Sequence, residues 1–167
     1  MIDTGPRAFY VAADKIKNQL LEDPNVNTVT TGDITEIDLN KITIFPLAHI
    51  IFNSAALQGN VISFSISVLA MDLVQQTKDE FSSNVFPEQN SLDKTFVGLD
   101  NEHDVLNTQL AVVNRLNEEL RRGQLYTDLF QLEGAATCEP FFDRFENKVA
   151  GWTYTFNLLV QNDISKC

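Results

Sequence analysis

The stretch Val61-Ile-Ser-Phe-Ser-Ile-Ser-Val-Leu-Ala-Met-Asp72 alternates apolar and hydroxyl side chains with period two. Successive side chains of an extended strand point to opposite faces, so this pattern predicts a strand with one buried face. Ile62, Phe64, Ile66, Val68 and Ala70 take that face; Ser63, Ser65 and Ser67 take the other. His49–Leu57 lies just before it, separated by Gln58-Gly59-Asn60. Glycine and asparagine accept positive φ, so the two segments read as a β-hairpin. A second alternation ends the chain, with Trp152, Tyr154, Phe156, Leu158 and Val160 set between Thr153, Thr155, Asn157 and Gln161. Ala135–Phe142 is its expected hairpin partner, across a charged connection from Asp143 to Gly151. Hairpins imply an antiparallel sheet.

Two segments carry the helical period instead. Phe9, Ala12, Ala13, Ile16 and Leu20 form one stripe between Gly5-Pro6, a good helix start, and Pro24, a stop. The second runs from a cap at Asp100 or Asn101 to Gly123. Glu102 and Asp104 sit in its first turn, Arg121 and Arg122 in its last, as the helix dipole favours. Val105, Leu106, Leu110, Val113, Leu116 and Leu120 make its expected buried stripe. Between the first helix and the hairpin, Val26–Thr31 and Ile42–Phe45 read as short strands, with a turn at Gly32-Asp33 and a stop at Pro46. The order predicts one α+β domain over residues 1–167. Its antiparallel sheet carries two main helices on one face, leaving Ser, Thr and Asn on the other.

Composition narrows the function classes. Twelve Lys and Arg stand against 23 Asp and Glu, a net charge of −11. Nucleic-acid binders need clustered cations to neutralise phosphates, and the nearest approach here is the Arg121-Arg122 pair. No uncharged apolar run is long enough to span a bilayer, and the first residues lack the basic and apolar regions of a secretory signal. The expected folding compartment is therefore the cytoplasm. Cys138 and Cys167 form no CxxC pair and read as one buried thiol and one exposed terminal thiol.

Chemistry is sparse in the sequence. There is no phosphate loop, nucleophile elbow, HExxH or calcium loop, so no catalytic residue, metal or cofactor is expected. His49, among Ile50, Ile51 and Phe52, reads as a hydrogen-bonded structural imidazole. The competing reading makes it the base of a site assembled with Asp72.

The aromatics carry more weight. Phe141, Phe142, Phe145, Trp152, Tyr154 and Phe156 crowd the last quarter, and strand alternation buries one face only. Exposed rings in a patch mark protein interfaces. Residues 75–100 form a long connection, unusual in a compact domain, with Phe81, Phe86 and Phe96 spaced along it. It is expected either to fold back on its own domain or to act as an arm that docks its rings in a neighbour. Phe81, Phe86, Phe96, Phe141 and Phe145 are the candidate subunit-interface residues.

Three pieces together carry a resemblance: Val68-Leu-Ala-Met-Asp-Leu-Val74, Asn101-Glu-His-Asp-Val-Leu-Asn-Thr-Gln109, and Phe145-Glu-Asn-Lys-Val-Ala-Gly-Trp-Thr153. In pattern and order, over roughly residues 44–167, they resemble structural proteins of tailed bacteriophages, the tail-terminator and neck-ring proteins, and most of all virion proteins of crAss-like phages. The resemblance implies a small antiparallel sheet flanked by helices, with loops and arms that bond neighbouring subunits. It further implies a non-enzymatic, homo-oligomeric ring of six or twelve copies at the junction of portal, neck and tail. Such a ring assembles in the host bacterial cytoplasm and resides in the virion. An acidic lumen would let double-stranded DNA pass without sticking. Two other readings compete: a small binding or adaptor domain using its sheet face, and an enzyme with a site around His49.

Overall fold

The computed structural model describes residues 7–38, 42–74, 101–122, 130–144 and 148–162. Helix α1 (Arg7–Leu21) is followed by strand β1 (Thr28–Thr31), two short 3₁₀ helices (Ile34–Glu36 and Ile42–Ile44), and the hairpin of β2 (Leu47–Gln58) and β3 (Val61–Leu73). Helix α2 (Glu102–Arg122) and strands β4 (Phe130–Arg144) and β5 (Val149–Gln161) complete the chain. The architecture is α+β, as the alternation and the two helical stripes require.

One five-stranded sheet runs in the order β1-β2-β3-β5-β4. It is mixed rather than purely antiparallel. β1 lies parallel to β2, with Thr30 opposite His49, while β2–β3, β3–β5 and β4–β5 are antiparallel. Parallel pairing needs a crossover, here residues 32–46; the turn at Gly32-Asp33 and the stop at Pro46 bound it without fixing the strand direction. That crossover contains the second correction. Ile42–Phe45, expected as a strand, instead forms a 3₁₀ turn leading into Phe45-Pro46. The turn sets Phe45 and half-buried Ile44 on the sheet rather than in it.

The β2–β3 turn has Gly59 at φ +68° in its first central position, as a type II′ hairpin requires. From there β3 pairs without a break along β5, from Val61 opposite Gln161 to Leu73 opposite Val149. Gly151 belongs to this ladder and not to the preceding connection. A Cβ there would run into the carbonyl oxygen of Ala70 and come within 2.8 Å of Met71 Cα, both backbone atoms.

The even positions of β3 share one buried cluster with both helices. Ile62, Phe64, Ile66, Val68 and Ala70 join Ala48 and Ile50 of β2 and Tyr154, Phe156, Leu158 and Val160 of β5. Helix α1 contributes Ala8, Ala12, Ile16 and Leu20, and α2 contributes Val112, Val113, Leu116 and Leu120. Each helix is turned slightly from its expected phase. Phe9 and Leu110 are 38% and 39% exposed, while Gln109 is buried in the stripe of α2. Its side-chain amide has no hydrogen-bond partner among the described residues.

The opposite face divides in two. Near the start of β2 it is apolar, with Leu47, Leu69, Met71, Phe141 and Val149 packed under Phe45 and the half-buried Ile34, Ile37 and Ile44. Toward the hairpin turn it is the expected run of serines and threonines.

Candidate interaction surfaces

Four of the five candidate interface rings, Phe81, Phe86, Phe96 and Phe145, lie outside the described residues, as does the rest of the 75–100 segment. Phe141 is a correction. It is 4% exposed and packs in the second apolar cluster, because its pairing with Gly151 turns it onto the face beneath the 3₁₀ segment. Its neighbour Phe142 is the exposed ring, at 48%. Cys138 is also corrected: it is exposed. It lines a groove between β4 and α2 with Asn117, Arg121 and Tyr154, where partial desolvation by the groove walls pushes the thiol pKa up, away from a reactive thiolate.

His49 is fully buried and both ring nitrogens are engaged. Nε2 lies 3.0 Å from the Gly32 carbonyl oxygen, which only accepts, so Nε2 carries the proton. Nδ1 then accepts from the Thr30 hydroxyl at 2.8 Å. The ring therefore ties β1 and its following turn to β2. Burial pulls its pKa below the ordinary histidine value, against the opposing effects of the Gly32 bond and the nearby Asp33 carboxylate. Asp72 cannot join it. His49 pairs with Leu69 and shares the odd face of β3, whereas Asp72 is an even position paired with Ala150, on the other side of the sheet. Burial raises the Asp72 pKa, and the Leu73 N–H it accepts opposes that shift.

The hydroxyl face forms a cross-strand network. Asn53 Nδ2 donates to Ser67 Oγ at 2.8 Å, Ser67 Oγ meets Thr155 Oγ1 at 2.9 Å, and Ser63 Oγ donates to Glu133 Oε2 at 3.0 Å. Strands β2, β3, β5 and β4 are thereby linked through side chains. Polar groups elsewhere serve the same purpose. Arg115 forks onto Asp23 at 2.6 and 2.7 Å, joining α2 to the turn after α1. Tyr154 donates to Asn117 Oδ1 at 2.9 Å. Among the described residues, no group of three or more His, Cys, Asp or Glu is placed to hold a metal ion, and no helix is long and apolar enough to cross a membrane.

The three sequence pieces that carry the resemblance meet at one corner. Val74 at the end of the first, Val105 and Leu106 of the second, and Ala150 of the third pack together. Val74 N–H donates to Lys148 O at 2.9 Å, and Trp152 Nε1 donates to Leu106 O at 2.8 Å. Gly151 sits against Ala70 and Met71 in the same corner. The glycine at 151 is the sequence signal of that contact, since only a residue without a Cβ lets the two backbones approach so closely. No protein-family model matches the chain, and no curated protein matches it.

Proposed function

We propose that this chain is a structural virion protein of a tailed phage, a ring-forming subunit at the junction of portal, neck and tail. The observation that carries the reading is the convergence just described. The three segments resembling tail-terminator and neck-ring proteins are separated by tens of residues, yet they build one packed corner. The polar side chains agree with that reading: His49, Ser67, Tyr154, Trp152 and Arg115 each join one element to another. The net charge of −11 suits a lumen through which DNA slides without adhering.

Negative-stain electron microscopy over a concentration series tests the reading, first with the chain alone and then with a portal or tail protein of the same phage type. Closed rings of uniform diameter, of six or twelve copies, are expected. Dispersed single copies under both conditions would contradict it. A ring whose lumen proved basic would remove the DNA-sliding argument.

A further inference from the structure

Among the described residues, strand β2 has an outer neighbour only from Leu47 to Ile50, where β1 pairs with it. Gly32 N–H donates to Ile50 O there, at 3.3 Å. Alternate residues of a strand turn their peptide groups to the same side, so Phe52 faces that edge too. Beyond the register break between Phe52 and Ser54, Ala55 and Leu57 do likewise. No strand among the described residues meets them.

This edge is unlike the other. Natural sheets blunt their edges with charge, proline and bulges. Strand β4, at the far side, has Pro140 and two register breaks. Strand β2 has one register break, between Phe52 and Ser54, but no charge and no proline along the edge: from Ile42 to Met71 there is no Asp, Glu, Lys or Arg. Residues 53–58 are all exposed, Leu57 at 79%. The edge also opens on a groove of about 450 Å³ between α1 and β2, lined by Phe9, Tyr10, Ala13 and Phe52, with Asp14 and Lys17 of α1 also lining it. The rings of Phe9 and Phe52 lie 4.7 Å apart. Phe52, Ala55 and Leu57 pair with Ile66, Phe64 and Ile62, so all three project to the helix side of the sheet.

We propose that this edge docks a second copy of the same chain, the two β2 strands pairing antiparallel about a two-fold axis at Ala55. Phe52, Ala55 and Leu57 are the successive outward-turned residues. A two-fold axis at Ala55 therefore sets Leu57 of each copy opposite Phe52 of the other, beside its aromatic groove. Self-complementarity argues for a second copy as the occupant: one edge carries both a projecting Leu57 and the groove beside Phe52 that receives it. Two chains of net −11 repel, and they approach at least cost along their uncharged edges. An isologous contact needs only one self-complementary patch, and it closes at two copies. It therefore stands independently of the ring reading.

Sedimentation analysis of the full chain, from about 1 μM to about 1 mM, tests the contact. The parent should dimerise. Leu57→Lys and Ala55→Glu, both at exposed positions and both setting like charges near the axis, should each weaken dimerisation by about tenfold or more. Glu139→Gln on β4 should leave it unchanged. A parent that stays single throughout, or self-association that survives both β2 substitutions, overturns the proposal. Rings that form equally from the parent and from Leu57→Lys, with no dimer in either, overturn the edge contact while leaving the ring reading intact.

Discussion

The two ends of the β2–β3 hairpin share one strand pair and one alternation, yet they serve different purposes. At the base, Leu47, Ala48, His49 and Ile50 are buried to within 1% of full coverage, with helices over one face and the 3₁₀ segment over the other. At the tip, Asn53–Gln58 are exposed on both faces, and Leu57 stands 79% in solvent although it shares the face of Ile50. Alternation decides which face a side chain takes. Whether that face is covered depends on how far the neighbouring layer reaches. The base is therefore closed by the fold, and the tip is left open to the partner proposed above.

Matched truncations on β2 probe this division with the largest effect. Ile50→Ala should cost about 3 kcal/mol in denaturant unfolding, since it opens a cavity in a closed core. Leu57→Ala should stay within about 0.5 kcal/mol under dilute conditions. Equal costs would erase the distinction between base and tip. Gly151→Ala probes the tightness of the base. Its new methyl meets only backbone, which cannot swing aside, and about 2–3 kcal/mol should be lost. A neutral result would mean that β3 and β5 separate there without penalty.

Gln109→Met should raise stability. The buried amide has no partner among the described residues, and an apolar side chain of similar volume relieves that burial, for a gain of about 1 kcal/mol. A loss would reveal that the amide is bonded after all. The smallest effect is on pH dependence, and it too belongs to the base. His49 is held below its ordinary pKa, so the unfolded chain binds the proton more readily. Its contribution is complete above the unfolded value of 6.5 and declines as pH falls below it toward the folded value. His49→Gln should flatten that part of a stability profile, before the carboxylates begin to titrate. Asp72 has the opposite sign: its raised pKa means that charge costs stability at neutral pH, so Asp72→Asn should stabilise there and lose its advantage on acidification.

Much of this was legible in the sequence because it is local. The serine alternation placed β3, and the caps and charges placed α2 to within a residue. What escaped was set by distant partners. The parallel register of β1 depends on a crossover whose bounding signals, Gly32-Asp33 and Pro46, do not say which way the strands pair. Hydropathy alone favours Leu110 in the buried stripe of α2. Spacing back from Leu120 and Leu116 through Val113 lands instead on Gln109. Phe141 and Phe142 are adjacent and identical in type, so only pairing with Gly151 could say which is buried. His49 was expected as a structural imidazole, and its partners, Thr30 and Gly32, became visible only once β1 was in place.

Residue-resolved hydrogen exchange across a concentration series tests the division of the hairpin most directly. In dilute solution the amides of the base, including Ile50 and Val68, should exchange only through global unfolding, while those of Phe52, Ala55 and Leu57 exchange freely. As concentration rises, these three alone on β2 should slow. Protection of the three at the lowest concentration, or exposure that persists after the chain has assembled, would contradict the assignment of the base to the fold and the tip to a partner.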